Sequence, residues 1–127
     1  MAMQTDFTVP LEDRPGTAAL VGETLGRAGV NIDGLSLFTS GGVAIFHVLV
    51  SPQDTETART ALRDSGIDLH GERRVWVAQL ADRPGEMGRL LGTLAGADVN
   101  CDLLYLDGHG RLVIGAEDME QVSHLLS

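Results

Sequence analysis

The sequence predicts an α+β fold built from two tandem copies of one βαββαβ module, the second lacking an obvious fourth strand. Three observations predict it. The tetrapeptide Asp13-Arg14-Pro15-Gly16 returns 69 residues later as Asp82-Arg83-Pro84-Gly85. The stretch Ala28-Gly29-Val30-Asn31-Ile32-Asp33 returns at the same offset as Ala97-Asp98-Val99-Asn100-Cys101-Asp102. Leu11, Leu25, Leu35, Leu37, Gly41 and Ile45 match Leu80, Leu94, Leu104, Leu106, Gly110 and Ile114 without a gap. A register held over that length marks a duplication, with one module expected over residues 1–72 and the other over 73–127.

Each copy opens on a short β-rich run, residues 5–11 and 74–80, which reads as a first strand. Asp-Arg-Pro-Gly then turns the chain sharply into a helix. Proline pushes the residue before it into extended geometry, and its fixed φ suits the first helical position. Ala18, Val21, Leu25 and Ala28 follow at helical spacing, as do Met87, Leu90, Leu94 and Ala97, so each helix has one apolar face. Gly29 ends the first helix; Asp98 stands at its place in the second.

Residues 30–38 and 99–106 read as second strands, and 43–50 and 112–116 as third strands. Ser40-Gly41-Gly42 and residues 107–110 form the turns between them. Ser51-Pro52 starts another helix, to about Asp64, and residues 67–71 read as a fourth strand. The result is the ferredoxin-like order. In the second copy a helix over 117–126 leaves no residues for that strand, so its sheet has three strands or a neighbour completes the edge. In the third strand Val43, Ile45 and Leu49 oppose Ala44, Phe46, Val48 and Val50. A second apolar face needs a cover, and a homodimer or higher homo-oligomer is expected.

Composition narrows the function. Nine basic and eighteen acidic residues give a net charge of −9, which disfavours nucleic-acid binding. Five aromatics in 127 residues leave little for base stacking. Cys101 is the single cysteine, so neither a disulfide framework nor a CxxC motif exists. No apolar run is long enough to span a bilayer or to serve as a signal peptide. A soluble, cytoplasmic protein with no membrane partner is expected. The four histidines fall in different elements and none is repeated, so neither a metal nor another cofactor is expected, and no catalytic residue is assigned.

The Asp-Arg-Pro-Gly corner, the amphipathic helix and the Gly-Val-Asn-Ile-Asp lead-in to the second strand resemble the ACT domain. That is a small-molecule-binding regulatory module of amino-acid metabolism, found for example in aspartate kinases and phosphoglycerate dehydrogenases. The resemblance covers about residues 5–116, and implies a stand-alone tandem ACT protein, not an enzyme. It also implies a site where two modules meet, between the first corner and the start of the second strand. Carried over, this marks Asp13, Arg14, Pro15, Gly16, Asn31 and Asp33, and Asp82, Arg83, Pro84, Gly85, Asn100 and Asp102. The chemistry suits an amino acid: helix N-terminal amides hold a carboxylate, Asn donates and accepts, and Asp pairs with an ammonium. The same residues also serve as corner and turn formers.

Three functions follow. The first is a sensor that binds a free amino acid between modules and passes the change to a regulated protein partner. The second is a ligand-free structural adaptor. The third is an acylphosphatase-like hydrolase using Arg14 and Asn31, which Pro15 and the acidic surface oppose. The larger Leu103, where the first copy has Gly34, is expected to close the second site.

Overall fold

The computed structural model describes residues 2–127. Among them are six strands and four helices, in the order β1 (Ala2–Glu12), α1 (Thr17–Arg27), β2 (Gly34–Ser40), β3 (Val43–Val50), α2 (Thr55–Asp64), β4 (Gly71–Ala78), α3 (Glu86–Gly96), β5 (Cys101–Leu106), β6 (Leu112–Ala116) and α4 (Met119–Leu126). One turn of 3₁₀ helix, Pro52–Asp54, leads into α2. The described residues divide into two compact units, Gln4–Arg73 and residues 2–3 with Arg74–Ser127.

In the first unit β3 lies between β2 and β1, antiparallel to both. Its register runs from Thr5 opposite Val50 to Glu12 opposite Val43. Phe7 and Val9 of β1 and Phe46, Val48 and Val50 of β3 face α1 and α2, where Val21, Leu25, Ala58 and Leu62 close a core without solvent. Ala18 and Ala28 pack at its margin, so the α1 face is the expected one. The other face of β3 is mixed: Leu49 is fully buried, while Val43 and the adjoining Phe38 of β2 are largely exposed.

The second unit repeats the design, with β6 between β4 and β5. Trp76, Leu90, Leu94, Leu112, Ile114 and Val122 form its core. Met87, expected inside, is exposed, and Ala97 stands outside this cluster while Leu91 packs against it. The reason lies one residue earlier. Glu86, Leu90 and Leu94 share a face at spacings of four, and all three are buried, so the first inward position goes to a glutamate.

The structure corrects the expected elements in three further places. Residues 67–70 are not a strand; Ile67 and Leu69 pack on the first core, and the His70 amide donates to the Thr8 carbonyl at 3.0 Å. The first strand expected at residues 74–80 is β4, which starts earlier, at Gly71, and ends at Ala78. Glu72, near its start, is tied to Arg59 of α2 at 2.5 Å. As expected, no strand follows α4 among the described residues of the second unit; Met3 packs against its core.

Finally, Pro15 is not the first helical residue. Each first helix is entered through the glycine, which caps it at φ +94° in Gly16 and +88° in Gly85. A left-handed glycine costs no Cβ clash there. Asp98, at φ +61°, takes the left-handed position that Gly29 holds at +76°. Leu25→Ala, at the centre of the first core, is expected to cost about 3 kcal/mol. Leu20→Ala, on the exposed side of the same helix, is expected to cost under about 0.5 kcal/mol. Urea denaturation of the two variants checks the pair.

Candidate functional site

The corners stand at the ends of β1 and β4. In the first, Asp13, Arg14, Pro15 and Gly16 are all exposed. The Asp13 amide donates to the Gly42 carbonyl at 3.3 Å, so the corner rests on the β2–β3 turn. Thr17 fastens it from the helix side, its hydroxyl donating to the carbonyls of Glu12 and Arg14 at 2.9 and 3.1 Å. Arg14 pairs with Glu12 at 2.6 Å, both well exposed. No acidic residue stands in the first turn of α1, so its amides and their partial positive charge face the corner uncompensated.

The second corner, Asp82, Arg83, Pro84 and Gly85, opens onto a cleft of about 510 Å³. Met87, Leu106 and His109 also line it. Here the first helical residue is Glu86, with a side chain only 9% exposed. Its carboxylate accepts from Arg83 at 2.8 and 3.0 Å and from Arg89 at 3.1 and 3.3 Å. Arg89, then Arg83, hold its pKa below the ordinary carboxylate value.

Asn31 and Asp33 lie elsewhere. The Asn31 amide donates to Asp33 Oδ1 at 3.0 Å, and Gln4 donates to Asp33 Oδ2 and to the Val50 carbonyl, each at 3.1 Å. Those partners belong to the Val50 end of the sheet, whereas the corner belongs to the Val43 end. Seven residues of strand separate the two ends, roughly 23 Å at the usual rise. In the second module Asn100 and Asp102 line a cavity of about 460 Å³ with Asp98, Glu117 and Asp118, apart from the corner cleft. Each module thus brings its corner residues together and its Asn and Asp together, but keeps the two groups at opposite ends.

Leu103 does not line the corner cleft; Leu106 takes the position near it. Glu86 escaped the sequence reading, although an acidic residue at a helix start with arginines three before and three after is a visible signal. Burial, and then Asp102, push the Cys101 thiol above its ordinary pKa, which does not favour a nucleophile. Among the described residues no cluster of three metal-ligating side chains forms, and no helix is long and apolar enough to cross a membrane.

Residues 8–66 match the model of the ACT domain. No curated protein matches the chain. Among solved structures, the chain is similar to protein BT0572 from Bacteroides thetaiotaomicron, at 21% identity and a TM-score of 0.86, covering 98% of this chain and 86% of that one. It is also similar to the ligand-free regulatory subunit of aspartate kinase from Thermus thermophilus, at 20% identity, TM-score 0.69 and coverage of 98% and 87%. The regulatory subunit of aspartate kinase from Thermus flavus gives 18%, 0.70, 98% and 88%. At these identities the likeness is one of fold.

The turn that brings His109 and Gly110 to the cleft is held by Asp107, which follows β5 and has a fully buried side chain. Its Oδ1 accepts from the amides of His109 and Arg111 at 2.8 Å each, and Oδ2 accepts from Arg111 Nε at 2.6 Å. Burial raises its pKa, but those donors outweigh it and the net shift is downward. A depressed folded pKa contributes stability above the unfolded value that is lost as pH falls through the folded one. Asp107→Asn is therefore expected to cost about 2 kcal/mol at neutral pH, and the gap from wild type to close progressively below about pH 4. Thermal unfolding of both proteins across that range measures it.

Proposed function

We propose that this chain, whose residues 8–66 match the ACT-domain model, is a non-catalytic regulatory module that senses a free amino acid where modules of two copies meet. The ACT-domain match supports a ligand-binding regulatory role; the ligand class and the site are our reading. The observation that carries it is the separation of the two halves of each candidate site. A free amino acid presents a carboxylate and an ammonium a few ångströms apart, far less than the roughly 23 Å between the ends of one module. The corner of one module, offering helix amides and Arg14 to the carboxylate, therefore has to meet the Asn31–Asp33 or Asn100–Asp102 end of another.

On this reading modules 1–72 and 73–127 each contribute half-sites, and the ligand acts by favouring one assembly over the other. A regulated protein partner would read that shift. The exposed apolar residues support association of copies: Leu35, Leu37, Phe38 and Val43 in the first module, and Leu104 and Leu106 in the second. They equally suit an adaptor that associates without ligand.

Thermal unfolding against each free L-amino acid at millimolar concentration, paired with sedimentation, separates the readings. At 100 times its dissociation constant a ligand adds about 2.7 kcal/mol, a rise of several degrees. One or a few amino acids are expected to give that rise and to change the sedimentation of the protein, and Asn31→Ala to lose the response while staying folded. No rise with any amino acid would favour the adaptor.

A further inference from the structure

We infer that Glu86 is a built-in anion of the second corner, engaging from within the chain Arg83, the counterpart of the Arg14 that a ligand carboxylate meets in the first. The two corners are then not equivalent, and this chain takes up one ligand carboxylate rather than two. The inference rests on the carboxylate-binding reading above. It deepens that reading by naming the residue that decides which corner is open.

The duplication allows a position-by-position comparison. Glu86 corresponds to Thr17, and Arg89 to Leu20. In the first corner the Thr17 hydroxyl is turned back onto backbone carbonyls. Arg14 has an exposed partner, Glu12, in an ion pair of the kind that exchanges with solvent at little cost. A carboxylate arriving there displaces water and a loosely held side chain.

In the second corner both oxygens of Glu86 are already bound by two guanidinium groups. The arginines are about two-thirds exposed while the carboxylate between them is 9% exposed. Two flexible cations converging on one sheltered carboxylate is the arrangement expected of a bound anion. The Glu86 charge also compensates the start of α3. A second carboxylate entering would have to expel Glu86 or sit beside a like charge, and either disfavours it.

Glu86→Thr, which restores the residue of the first corner, tests this, and acetate serves as a minimal carboxylate. Against sodium chloride of equal concentration, acetate is expected to raise the unfolding temperature of Glu86→Thr by several degrees more than that of wild type. Titration calorimetry with the amino acids that stabilise wild type is expected to give one equivalent per chain before the substitution and two after it. An equal acetate response in the two proteins overturns the inference, as does wild type binding two equivalents. Should Glu86→Thr fail to fold, Glu86→Gln keeps the side chain's size without its charge and is held to the same acetate comparison. If no amino acid binds wild type while acetate still favours the variant, the sensor reading falls and the built-in carboxylate stands.

Discussion

A glycine with a left-handed backbone governs both candidate sites. Gly16 and Gly85, at φ near +90°, let the chain leave a strand and enter a helix across three intervening residues after β1 and six after β4. Without that reversal the helix could not lie back over its own sheet, and Val21 and Leu25, or Leu90 and Leu94, would miss the cores they fill. The same reversal points the free amides of the helix start outward beside the preceding arginine. Packing and binding capacity therefore share one backbone geometry, and the geometry recurs because the module was duplicated.

What the duplication did not preserve is the charge at that geometry. Thr17 and Glu86 are both compatible with the first position of a helix, and both tie the corner down, but by opposite means. The threonine hydroxyl donates to two backbone carbonyls and leaves the helix dipole uncompensated. The glutamate accepts from two arginines and compensates it. Fold stability is served either way, which is why the substitution is tolerated. Binding is not, because the second solution supplies an anion of its own.

Much of this was legible in the sequence. The third strands, 43–50 and 112–116, end where they were expected because a glycine-bearing turn precedes each and a cap-forming residue, Ser51 or Asp118, follows. The second strands begin late because Val30 is used as a plug beneath the end of α1, and the chain at 31–33 is held by side-chain and backbone bonds outside the β2–β3 register. Periodicity could not distinguish Met87 from Glu86 at the head of α3, since both fit the spacing to Leu90 and Leu94; two arginines settled it for the glutamate. The division of each site was implicit in the topology. An eleven-residue helix runs back along the strand it follows by roughly 16 Å, so the residues after it must lie at the opposite end from the corner.

The net charge adds a last constraint on what can bind. An anion approaching a chain of charge −9 is repelled over about the Debye length, some 10 Å at 0.1 M salt. The attraction of a helix N-terminus fades within its first turn. A compact dianion such as phosphate feels the long-range repulsion before it feels the local seat. A zwitterion carries no net charge and meets no such barrier, yet on arrival it presents a full carboxylate to the amides and an ammonium to the acidic surroundings. On the proposed reading, an acidic surface around uncompensated helix amides favours neutral molecules that contain an anion, and a free amino acid is one of them.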